Sequence, residues 1–222
     1  MASRRAAKRP PTTTLVLLVR HGQTPTTGTV LPGRAKGLHL SDAGREQATA
    51  AAGRIATLVD GSRSVAAVYA SPLERTRETA APIGRAVGQR VQVERGLLEC
   101  DFGDWTGAKL NELRKHPEWS VIQNHPSSFT FPGGESFSAM HTRITTTLRT
   151  LAGRHRGETI VAVSHADPIK AALADASGAH LDAFQRFVVS PCSVSAIAYD
   201  ASGSTILLAA NTTGSLTELR PS

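Results

Sequence analysis

Two apolar runs in the 222-residue sequence end in a histidine: Leu15–Val19 leads into Arg20-His21-Gly22, and Thr159–Ser164 leads into His165. A third run, Val65–Ala70, ends in Ser71-Pro72 and is followed shortly by Arg75. Brought together, these imidazoles and guanidinium groups make a site for a dense anion. Guanidinium forks match phosphate oxygens bidentately, and a neutral imidazole can attack phosphorus. Phosphoryl transfer also needs an acid to protonate the departing oxygen. Glu99, just before a glycine-broken Asp-Phe-Gly-Asp-Trp-Thr-Gly stretch, is the best-placed carboxyl, ahead of Asp101 and Asp104.

The elements that must position these groups follow from the apolar pattern. Leu15–Val19 is too short for an ordinary helix and reads as a central strand covered on both faces. In an open α/β sheet, ligands bind beyond the carboxyl ends of the strands, and Gly22 there would let the backbone approach a ligand closely. Ser41 is placed to N-cap a helix whose apolar face is Ala48, Ala51, Ala52, Ile55 and Val59. After the buried strand Val65–Ala70, Pro72 opens a second helix at its first turn, and Pro82 kinks or ends it. Val91–Glu94 reads as a short strand and Thr106–Lys115 as a short helix. Residues 117–132, with Trp119, His125, Phe129 and Phe131, read as an irregular insert forming a lid over the pocket. A long helix runs from about Glu135 to His155, and Pro168 begins another after the strand Thr159–Ser164. Ser193–Tyr199 and Thr205–Asn211 then form an antiparallel hairpin. The fold class is α/β: a three-layer α/β/α sandwich with a mostly parallel sheet, one antiparallel edge hairpin and a small lid insertion.

With 40% apolar residues, the chain can bury one substantial core, so residues 15–222 form one domain. More than half of the net charge of +7 comes from Arg4, Arg5, Lys8 and Arg9. Residues 1–14 read as a disordered basic tail, too poor in apolar surface to order itself. It lacks aromatic interleaving or a nucleic-acid reader motif, so no nucleic-acid partner is expected. No run approaches transmembrane length or a signal-peptide core, which points to a cytoplasmic protein with no membrane partner. Cys100 and Cys192 lack metal-ligand spacing and read as reduced thiols. His39, His116, His125, His141, His155 and His180 show no ligand pattern, so neither a metal nor another cofactor is expected.

The order of the motifs adds a resemblance. Arg20-His21-Gly22-Gln23-Thr24, Leu40-Ser41-x-x-Gly44, Ser71-Pro72-Leu73-x-Arg75, Glu99-x-x-Phe102-Gly103-x-Trp105-x-Gly107, Pro132-Gly133-Gly134-Glu135-Ser136 and Ser164-His165 resemble the histidine phosphatase superfamily, with its phosphoglycerate mutase-like fold. The resemblance covers roughly residues 15–211 and is greatest to a bacterial branch labelled phosphomutases. It implies that His21 is the nucleophile forming a phosphohistidine, that Arg20 and Arg75 clamp the phosphate, that His165 is the second pocket histidine, and that Glu99 is the acid. Where many members carry Asn six residues after the nucleophile, this chain has Thr27, with Thr24 sharing its substrate-binding role. Ala166-Asp167 replaces the usual pair after the second histidine. A carboxylate there repels phosphate unless it faces away or caps the next helix, so Asp167 stays outside the catalytic set. The implied activity is hydrolysis of a small-molecule phosphomonoester, with a phosphomutase and a non-catalytic phospho-ligand binder as alternatives. The oligomeric state is left open, a homodimer among the options.

Overall fold

The computed structural model describes residues 13–58 and 64–216. Residues 1–12, most of the expected basic tail, and Val59 lie outside that range. Six strands, β1 (Thr14–Arg20), β2 (Val65–Ala70), β3 (Val91–Val93), β4 (Thr159–Ser164), β5 (Val194–Tyr199) and β6 (Thr205–Thr212), form one sheet in the order β3-β2-β4-β1-β5-β6. The first four in that order run parallel; β5 pairs antiparallel with β1 and β6 antiparallel with β5. The hairpin therefore supplies one interior strand and one edge.

Among the described residues, six α-helices accompany the sheet: α1 (Asp42–Ala56), α2 (Glu74–Val87), α3 (Leu110–Leu113), α4 (Glu118–Asn124), α5 (Phe137–Arg154) and α6 (Ala166–Ala176). Alternation along β1 assigns its two faces, as a period of two requires. Leu15, Leu17 and Val19 pack with Ile55 of α1 and Ile83 of α2, whereas Val16 and Leu18 pack with Met140 and Ile144 of α5 and Ile169 of α6. The result is the three-layer sandwich. Among the described residues, no helix is long and apolar enough to cross a membrane.

Several local expectations are corrected. Thr14 belongs to β1 rather than the tail: it is buried, and its hydroxyl donates to the carbonyls of Ala152 (3.0 Å) and His155 (2.8 Å). Pro72 precedes the helix instead of opening it, because Leu73 is the N-cap of α2. Pro82 sits inside α2, which runs on to Val87 and stops at Gly88 in the left-handed region (φ 70°). The helix expected over Thr106–Lys115 shrinks to Leu110–Leu113. The insert is less irregular than expected, since α4 and a 3-10 turn at Pro126–Ser128 fill much of it.

Candidate active site

The carboxyl ends of β1, β4 and β2 stop level. Arg20 pairs with Ser164 and Ala70 with Val163, and the ladder continues one step further. The His21 N–H donates to the Ser164 carbonyl and the Ser71 N–H to the Val163 carbonyl, each at 3.0 Å. This register sets His21 beside His165, with ring centroids 5.2 Å apart.

His21 Nδ1 lies 2.7 Å from the Gly22 carbonyl oxygen. A carbonyl only accepts, so the proton is on Nδ1 and Nε2 carries the lone pair. Burial, then the charges of Arg75 and Arg20, push its pKa down to about 3, leaving the ring neutral at pH 7. His165 is fully buried; burial and then Arg75 hold it well below the usual histidine range. Its Nε2 meets Ser71 Oγ at 2.9 Å, while Nδ1 has no hydrogen-bond partner.

The two arginines are each anchored by one nitrogen. Arg20 Nη1 donates to the Val189 carbonyl (2.6 Å) and Arg75 Nη2 to the Gly33 carbonyl (2.7 Å). Arg20 Nε, Arg75 Nε and Arg75 Nη1 are buried without partners. Buried guanidinium donors left in that state cost free energy that an anion would recover.

Glu99 follows a 3-10 turn at Arg95–Leu97, which Ser164 Oγ ties to the end of β4 by donating to the Leu97 carbonyl (2.8 Å). Glu99 Oε1 accepts the Cys100 N–H at 3.0 Å. Burial, reinforced by the charge of Asp167, pushes its pKa up to about 8, so the carboxyl is protonated at neutral pH. Thr24 and Thr27 form a pair: the Thr27 hydroxyl accepts the Thr24 N–H (2.8 Å), and the two hydroxyl oxygens are 3.0 Å apart.

Arg20, His21, Thr24, Thr27 and Glu99 line a cavity of about 460 Å³; Arg75 and His165 lie fully buried beside it. From the insert, Trp119, Ile122 and Phe131 reach the cavity. Phe129 instead packs in the core, its ring 5.0 Å from Phe131 and 5.7 Å from Trp105, and His125 is exposed and outside the lining. Gly22 also has a packing role. A Cβ there would meet the Gly44 carbonyl oxygen at 2.5 Å, so its small size lets the loop pack on α1.

Residues 16–212 match the family model of the histidine phosphatase superfamily, branch 1. The chain belongs to this superfamily. The phosphoserine phosphatase 1 of Hydrogenobacter thermophilus is 32% identical over 187 residues, spanning 82% of this chain and 85% of that protein. A bifunctional protein of Mycobacterium tuberculosis is 34% identical over 212 residues, 92% of this chain; the chain spans only 56% of that relative's length. Among solved structures, a mycobacterial glucosyl-3-phosphoglycerate phosphatase superposes with a TM-score of 0.79 at 23% identity, covering 90% of this chain and 99% of that one. The alpha-ribazole phosphatase of Shigella flexneri gives 0.75 at 26% identity, covering 90% and 98%.

In this histidine phosphatase superfamily member, the sequence reading did not find the partners of Glu135 and Asp167. Glu135 accepts from Arg143 Nε (2.9 Å), Arg143 Nη2 (2.8 Å) and Arg34 Nη2 (3.0 Å). Both arginines in turn donate to the Glu99 carbonyl, at 2.9 Å from Arg34 and 3.2 Å from Arg143, so Glu135 braces the main chain of Glu99. Glu135 stands in the Pro-Gly-Gly-Glu-Ser motif, but no local spacing connects it to Arg34. Asp167 lies in the first turn of α6 and also lines the cavity, where it pairs with Lys170 at 3.5 Å. Lys170 Nζ also donates to Gln185 Oε1 (2.9 Å). Among the described residues, no three His, Cys, Asp or Glu side chains cluster as a metal site.

Proposed function

We propose that the chain hydrolyses a small-molecule phosphate monoester through a phosphohistidine at His21. The observation that carries this reading is a neutral imidazole, fixed with its proton on Nδ1, set among buried guanidinium nitrogens that lack partners. Nε2 attacks phosphorus in line; the bond to the leaving oxygen breaks, and Glu99 gives that oxygen its proton. Arg20, Arg75 and His165 balance charge on the equatorial oxygens, with Thr24 and Thr27 offering hydroxyls at the cavity wall. If Ser71 donates to His165 Nε2, the proton on Nδ1 is free for a phosphoryl oxygen. In the second step Glu99, now a carboxylate, takes a proton from water as the water oxygen attacks phosphorus. The P–N bond breaks, its electron pair returns to Nε2, and inorganic phosphate leaves. The phosphatase named in Hydrogenobacter thermophilus supports hydrolysis over return of the phosphoryl group to its substrate.

The test is to quench turnover of an aryl phosphate and look for the intermediate. An acid-labile, base-stable phosphoryl adduct on His21 is expected, with phosphate that carries the oxygen of labelled water. His21→Ala should lose turnover completely. An acid-stable adduct on serine or threonine, or full activity in His21→Ala, overturns the reading.

A further inference from the structure

Beyond the phosphate-holding end, the cavity has an unusual balance of chemistry. Much of its wall is apolar: Trp105, Trp119 and Ile122 contribute from the loop before α3 and from α4, and Phe187, Val188 and Val189 from the segment before β5, while Thr26, Gln123 and Gln185 add uncharged polar groups. Val188 is 66% exposed at this rim, continuous with the aromatic wall. Apart from Arg20 and Glu99, the charged residues lining the cavity are Asp167 and Lys170. These are already engaged with each other, Lys170 also donates to Gln185, and both side chains are less than one-fifth exposed. Outside the phosphate end, Lys170 is held between Asp167 and Gln185, so the Asp167–Lys170 pair offers no net positive charge to a second anion. The volume of about 460 Å³ falls within the range of small-molecule sites, roughly 300–1,000 Å³. That leaves room well beyond a phosphoryl group.

We infer that this part of the cavity takes an uncharged, largely apolar leaving group, an aryl or branched-alkyl alcohol, and that the Asp167–Lys170 pair turns away leaving groups carrying a carboxylate. The physical basis is desolvation. A carboxylate entering an apolar wall gives up hydration and recovers it only from an unengaged donor, whereas an aryl ring gains by the same move. Asp167 adds like-charge repulsion in a partly enclosed site. This inference rests on the phosphatase reading for the phosphate end alone.

The experiment separates binding from turnover. Phenyl phosphate and 3-phosphoglycerate are titrated calorimetrically into His21→Ala, and initial rates of phosphate release from both are measured with the unaltered chain. Phenyl phosphate should bind at least tenfold more tightly. Asp167→Asn, which leaves Lys170 without its carboxylate partner, should narrow the ratio at least threefold by strengthening 3-phosphoglycerate, and Lys170→Met should widen it. The ratio is the readout because any change at the shared phosphate end cancels. Equal or reversed affinities, or a ratio unmoved by Asp167→Asn, overturn the inference even if both esters are hydrolysed. Selective binding of phenyl phosphate without phosphate release from the unaltered chain overturns the hydrolytic reading and leaves the leaving-group site standing. Failure of both esters to bind overturns both.

Discussion

Glu99 is protonated at neutral pH because an ionised carboxylate so deeply buried lacks hydration, and the charge of Asp167, which lines the same cavity, adds to the penalty. A proton donor with a pKa near 8 matches the need of a poor leaving group, whose oxygen must receive a proton as it departs. The rate with phenyl phosphate, as kcat/KM, is therefore expected to fall as pH rises through about 8. In Asp167→Asn the fall should move to lower pH, since one of the two effects raising the pKa is gone. Glu99→Gln should lower kcat for phenyl phosphate by roughly 10²–10⁴-fold, the usual contribution of a positioned acid. Its effect on 2,4-dinitrophenyl phosphate, whose leaving group departs without a proton, should be far smaller. Equal losses on the two esters would remove Glu99 from the acid role.

At the scale of elements, the loop from β1 to α1 depends on two glycines that face each other. A Cβ on Gly44 would lie 2.0 Å from the Gln23 carbonyl oxygen, and one on Gly22 2.5 Å from the Gly44 carbonyl oxygen. Both clashes are with backbone, so α1 or the His21 loop has to shift. Gly44→Ala is expected to destabilise the fold by about 1–3 kcal/mol, as overpacking does, and to reduce kcat by displacing His21. Gly53, also in α1, is exposed, and a methyl group there would meet nothing within 4 Å. Gly53→Ala should be neutral or stabilising by up to about 1 kcal/mol, because alanine loses less backbone entropy in a helix. Urea unfolding of the two variants measures the contrast, and similar ΔG values for both would refute the close-approach argument.

For the whole molecule, the buried site makes stability depend on pH in two opposing ways. His21 has its folded pKa depressed from 6.5 to about 3, so its contribution is present above pH 6.5 and is lost as pH falls towards 3. His165 is shifted in the same direction. Glu99 is raised from 4.5 to about 8, so its contribution is full below pH 4.5 and is lost as pH rises towards 8. Each group fully in its window changes stability by about 1.4 kcal/mol per pH unit. Between pH 4.5 and 6.5 two histidines act in one direction against a single carboxyl. Calorimetric Tm should therefore drop from pH 6.5 to 4.5, more steeply in Glu99→Gln and less steeply in His21→Gln. Parallel profiles for all three proteins would show that these groups are not held as described.

The strand ends and the residues at them were legible in the sequence because a short apolar run closed by a polar residue admits few conformations. Val65–Ala70 and Thr159–Ser164 have the same bounds in the structure, and His21, Ser71 and His165 follow three neighbouring strands. Local signals also placed the Ser41 cap, whose side chain accepts the Gly44 N–H, and the hairpin of β5 and β6. They failed where two local preferences compete. Proline is acceptable both inside and just before a first turn, and the residues flanking Leu110–Leu113 bond in turns, the Ala108 N–H to the Trp105 carbonyl and the His116 N–H to the Leu113 carbonyl. Only tertiary structure decided that β1 lies between β4 and β5, that Gly22 is small for the sake of Gly44, and that Glu135 gathers Arg34 and Arg143 behind Glu99. The same holds for the protonation of His21 and Glu99 and for the turn of Asp167 towards the cavity. Residue type sets what a group can donate or accept, but desolvation and neighbouring charge exist only once distant segments have packed around it.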